Sequence, residues 1–180
     1  MSKMSKMNSK GEERQSKSTT TAGDNCCGNC QKEKAKGGAS TLAAEVYKNT
    51  KMGADSIIDL LGHAKDERLK LEMTSELNRY EALASRAAKL SRERGEEPRE
   101  EGALTKAAVK MSMAVNTMTD SSDPHIAEMM IQGANMGVTD LRRSISAEEA
   151  GEDPDREAVT LARETVSFEE DSAERLKAFL

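Results

Sequence analysis

The chain contains no tryptophan, two tyrosines, two phenylalanines and three prolines in 180 residues. Sheets lean on aromatic and β-branched residues, so this shortage argues against them. Histidine occurs twice, as His63 and His125, and nothing in the sequence pairs either with a nucleophile. No Gly-rich phosphate loop occurs, which removes the usual nucleotide-binding signatures. No apolar run approaches the ~20 residues that a membrane-spanning helix needs. The opening "MSKMSKMNSK" is basic but lacks the apolar stretch of a signal peptide, so a cytoplasmic protein is expected.

What is present is charge and helix-forming side chains. Charged residues make up 33% of the chain, and Ala, Leu, Met, Glu, Lys and Arg are abundant. The net charge of −5 is unevenly spread. Residues 1–40 carry eight Lys/Arg against four Asp/Glu, which leaves nineteen against twenty-eight for the remainder. Such an acidic body repels phosphates, so nucleic acid is not an expected partner. Residues 1–40 also lack apolar periodicity, and are expected to be a disordered basic tail ahead of a helical domain at 41–180.

Five helical segments are read from periodicity, at 41–61, 65–94, 101–118, 124–148 and 153–179, each to ~3 residues. Gly62 and Gly95 stand where the first two end. Asp123 with Pro124, and Asp153 with Pro154, read as an N-cap and first position for the last two. A helical wheel gives each long segment one apolar stripe. In 65–94 it holds Leu69, Met73, Leu77, Tyr80, Ala84 and Ala87; in 124–148 it holds Ile126, Met130, Ala134, Val138, Leu141 and Ile145. The segment 101–118 carries Leu104, Ala108, Met111, Val115 and Met118 in the same manner. Such helices pack as a bundle.

The stretch "HIAEMMIQGANMGVTDL" raises the question of a metal site, since it holds a histidine and a glutamate. On the wheel, however, His125, Glu128, Gln132, Asn135, Thr139 and Arg143 fall together on the polar side, away from the core. Gly133 and Gly137 lie at the edge of the apolar arc, where another helix is expected to come close.

Together with "YKNTKMGADSIIDLL", "KDERLK", "YEALASRAAKL" and "GEEP", this stretch resembles a family of small bacterial ferritin-like four-helix-bundle proteins, a domain of unknown function. The likeness covers about 45–180. It implies four main helices with a long connection between the second and third, here carrying the short helix 101–118. Eighteen residues at 1.5 Å each reach ~27 Å, enough to bring the chain back along the bundle.

The resemblance also implies a carboxylate-bridged pair of iron or manganese ions, held by Glu residues and Glu-x-x-His motifs. This chain has no Glu-x-x-His. Glu45, Asp55 and Asp59 fall far from the apolar stripe of the first segment, and only Glu76 and Glu169 turn inward. Three residues after them stand Arg79 and Ser172 rather than histidine. Glu76 and Glu169 are therefore expected to form a structural polar layer, and otherwise to be the ligands of any metal. Counting outward from a turn at His63 puts Thr50 level with Glu76, with Tyr80 and Glu169 as further members of the layer.

Cys26, Cys27 and Cys30 are the only cysteines. Cys-x-x-Cys spacing suits zinc or a small disulfide, but a closed zinc site wants four ligands. An unpaired third thiol fits reduced, exposed cysteines in the tail, with a thiol or zinc sensor as the alternative. The sequence thus points to a non-enzymatic helical bundle, acting by surface interaction or as a homo-oligomer, with no cofactor expected. The alternatives are an iron or manganese carboxylate site and a zinc or thiol site in the tail.

Overall fold

The structure, a computed structural model, describes residues 40–99 and 120–180. Residues 1–39, with Cys26, Cys27 and Cys30, and the segment expected at 101–118 lie outside the described residues. Among the described residues there are four α-helices and no strand: α1 (Leu42–Leu61), α2 (Glu67–Glu93), α3 (Asp123–Glu149) and α4 (Arg156–Leu176). A 3-10 turn, Lys177–Phe179, closes the chain. No helix among the described residues is long and apolar enough to cross a membrane.

Each helix starts where a side chain caps its free N–H groups. Thr41 accepts from the Ala44 N–H at the head of α1. Asp66 accepts from Arg68 and Leu69 at the head of α2. The second helix stops after Arg94, where Gly95 takes φ +79°, a left-handed conformation that costs glycine nothing.

The last two helix starts differ from the sequence expectation. Ser122, not Asp123, caps α3, by accepting from the His125 N–H three residues on. The Asp123 carboxylate is drawn elsewhere: it accepts from the Lys65 and Asp66 N–H groups at 2.7 and 3.1 Å, across from its own helix. Asp155, not Asp153, caps α4, accepting from Glu157 and Ala158 and also taking the Arg94 guanidinium. Pro154 therefore precedes the cap instead of following it.

These cross-links fix the direction of every helix. Asp123 ties the start of α3 to the start of α2. Arg94, at the end of α2, binds Asp155 at the start of α4. Thr41, at the start of α1, donates its N–H to Glu96 just past α2 at 2.8 Å. Arg175, near the end of α4, meets Glu72 in the first turns of α2. So α2 and α3 run one way, and α1 and α4 the other. The end of α2 and the start of α3 therefore lie at opposite ends of the bundle, ~40 Å apart for a helix of α2's length.

Asp123→Ala should cost roughly 1–2 kcal/mol, because two N–H groups at the head of α2 lose their acceptor at once. Asp153→Ala, at an exposed position that caps nothing, should change stability by less than about 0.5 kcal/mol. Urea melts at pH 7 compare the two; equal effects would contradict the assignment.

Candidate functional site

The stripes read for 65–94 and 124–148 are buried, with Leu77 half-buried, and among the described residues the core forms two apolar clusters. One gathers Val46, Leu83, Leu90, Leu141 and Leu161; the other gathers Ile57, Leu60, Leu69, Met73 and Ile126. A polar waist interrupts them. Glu169, 1% exposed, stands at its centre. All four helices close on this carboxylate.

From α1, Asn49 Nδ2 donates to Glu169 Oε1 at 3.1 Å. From α2, the Tyr80 hydroxyl donates to the same oxygen at 3.3 Å. From α3 comes Gly137, where a Cβ would lie 2.7 Å from both Glu169 oxygens and 2.8 Å from Asn49 Oδ1. The close approach expected of Gly137 is thus real. Gly133 differs: it is exposed, and a Cβ there would meet nothing within 4 Å. The Tyr80 ring is held by a second glycine, since a Cβ at Gly53 would come within 2.6 Å of it, and by an edge-on contact with Phe168 at 4.8 Å.

One turn along, Glu76 is 2% exposed and accepts a short hydrogen bond from the Ser172 hydroxyl. The Arg175 guanidinium lies 3.6 Å away. Serine therefore fills the place where an Glu-x-x-His motif would carry imidazole. Arg79, the other substitute, points outward to Glu164 at 2.6 Å, and Arg86 shares that carboxylate.

Burial raises both carboxyls, because low polarity penalises the charged form. Glu169 is pushed up to about 8, with the Asn49 and Tyr80 hydrogen bonds pulling the other way. Glu76 rises to about 7, raised also by nearby Glu72 and opposed by Ser172 and Arg175. Burial and the Glu169 charge push the Tyr80 hydroxyl well up, so it stays a donor. Among the described residues, Glu169 Oε2 has no hydrogen-bond partner, which further favours the neutral acid.

Thr50 is buried as expected but belongs to neither acid. Its one hydroxyl hydrogen goes back to its own helix, at Val46 and Tyr47 carbonyls 2.8 and 3.0 Å away. Nor is it level with Glu76. The α1–α2 connection centres on Ala64, and helical side chains lean toward their own N-termini, so Thr50 and Glu76 diverge. Asn49, one position over, supplies the α1 contact; with Gly53 it went unread because it flanks the stripe.

A di-metal pair does not fit this donor set. The two inward carboxylates lie a turn apart, and each already accepts from the bundle's own groups. His63 is exposed, while His125 lies half-buried on the outer side of α3 beside Glu128. Glu45, Asp55 and Asp59 are half-buried outside the waist. Among the described residues, no three His, Cys, Asp or Glu converge closely enough for a metal ion. The chain matches no family model, no curated protein and no solved structure.

Proposed function

We propose that the chain is a ferritin-like four-helix bundle that works from its surface, by binding or self-association, without a catalytic centre. The opposed helix pairs, with the end of α2 and the start of α3 at opposite ends of the bundle, support the ferritin-like reading. The observation that carries the functional reading is the waist. Its carboxylates are spent on internal partners: Ser172 and Arg175 for Glu76, Asn49 and Tyr80 for Glu169. Such a layer selects one register for the helices, as buried polar groups do in coiled coils.

Metal analysis of purified full-length protein tests this reading, with Glu76→Gln and Glu169→Gln beside wild type. All three should stay at background. The competing metal reading draws on the unpartnered Oε2 of Glu169. It would prevail if wild type held about one or more iron or manganese per chain and both substitutions removed it. Zinc that survives both substitutions but leaves on deletion of residues 1–40 would instead place a sensor at Cys26, Cys27 and Cys30.

A further inference from the structure

The back of α1 is not open to solvent. Of its twenty residues only Ile58 is exposed, whereas α2, α3 and α4 each expose residues all along their outer sides. On the wheel Lys48, Met52, Asp55 and Asp59 point away from Thr50 and the core, yet all four are half-buried. The side chains of Lys51 and Asp55 are 33% and 27% exposed, against 79% for Lys89 on α2. A face turned outward from the bundle is beyond the reach of the other three helices.

One segment of the chain is tied to both ends of α1. Just past α2, Glu96 accepts the Thr41 N–H at the head of α1. At the start of α3, Asp123 accepts from Lys65 and Asp66, a few residues beyond the foot of α1. The chain between them, which includes residues 100–119 outside the described residues, therefore sets out beside one end of α1 and arrives beside the other. As a helix, 101–118 would span ~27 Å, close to the ~30 Å of α1. Leu104, Ala108, Met111, Val115 and Met118 would give that helix one apolar face to bury, with Lys106 and Lys110 on one flank of it.

Charge points to the same seat. Along α1 come Lys48 and Lys51, then Asp55 and Asp59; along the segment come Glu100 and Glu101, then Lys106 and Lys110. None of the four α1 charges lacks a partner. Laid parallel, the two rows oppose each other in sign from end to end. The four-residue step from Lys106 to Lys110 also matches that from Asp55 to Asp59.

We propose that residues 100–119 dock as a fifth helix along the back of α1, parallel to it, with Lys106 and Lys110 against Asp55 and Asp59. Residues 1–39 are the poorer occupant, since they lack apolar periodicity and join α1 at one end only. The inference goes beyond the surface-acting reading and does not depend on it. It narrows the surface left for a partner to α2, α3 and α4.

Cysteine pairs placed in the full chain test the proposal, with Cys26, Cys27 and Cys30 replaced by serine and circular dichroism confirming that each variant folds. A short bis-maleimide should join Asp59→Cys to Lys110→Cys, and Asp55→Cys to Lys106→Cys, within one chain. Lys110→Cys should react at least ~10-fold more slowly with a cysteine at Leu71, Glu128 or Asp171, which stand toward the same end on the other three helices. It should also fail to reach Lys48→Cys, at the far end of α1. Urea should abolish the preference. Faster joining of Lys110→Cys to α2, α3 or α4 overturns the α1 seat. Joining mainly between two chains overturns it in favour of a second copy. Equal rates at every site overturn it as well, since a docked helix has one set of neighbours.

Discussion

Gly137→Ala is expected to destabilise the bundle by about 2–3 kcal/mol, although alanine is much the better helix former. The added Cβ would sit 2.7 Å from both oxygens of Glu169 and 2.8 Å from Asn49 Oδ1. Neither group can simply swing away. Glu169 is pinned by Asn49 and Tyr80, and Tyr80 is itself wedged against Gly53. Moving the carboxylate would break hydrogen bonds that have no replacement in a buried site. Gly133→Ala, one turn earlier in α3, should do the reverse and add up to about 1 kcal/mol, since its Cβ meets nothing. Thermal or urea melts of both variants against wild type decide the matter. If Gly137→Ala were as stable as wild type, the waist would have slack, and Glu169 would not be held by packing.

That contrast also marks what periodicity can and cannot reveal. A wheel assigns each residue a direction around its own helix, which is why the stripe Ile126, Met130, Ala134, Val138, Leu141 and Ile145 was legible. For the same reason Glu76 and Glu169 could be seen to point inward. Partners are another matter, because they depend on how far one helix slides along its neighbour. Asn49 reaches Glu169 across 120 residues of sequence, and Ser172 reaches Glu76 across 96, so no local pattern pairs them. The two glycines of α3 looked alike on the wheel, yet only Gly137 faces another helix. Helix starts failed for a more local reason. Ser122 and Asp123, like Asp153 and Asp155, are adjacent or near-adjacent residues of equal capping ability, and tertiary donors decided between them.

The largest expected effect is on pH dependence: the bundle should be most stable near pH 5 and weaken steadily toward pH 9. In the open chain both glutamates titrate near the ordinary 4.5, whereas in the fold Glu76 titrates at about 7 and Glu169 at about 8. Between these values the folded state holds protons that the unfolded state has released. Stability therefore falls as pH rises through the window, fully present below 4.5 and lost above about 8. At about 1.4 kcal/mol per pH unit, Glu169 alone accounts for something on the order of 5 kcal/mol. That is a large share of the 5–15 kcal/mol typical of a domain. The acid side runs oppositely. Arg94 holds Asp155 below its usual range and Arg86 does the same for Glu164, so their contribution fades as pH drops through the carboxylate range. Urea unfolding at pH 5, 6, 7, 8 and 9 should trace the decline on the alkaline side. Glu169→Gln keeps the side chain's shape and its acceptor for Asn49 and Tyr80 but cannot ionise, so it should remove more than half of the slope. Glu76→Gln should remove a smaller part, concentrated below pH 7.5, because Ser172 and Arg175 already ease that charge. An alkaline slope in Glu169→Gln as steep as wild type would mean that the buried acid does not set it.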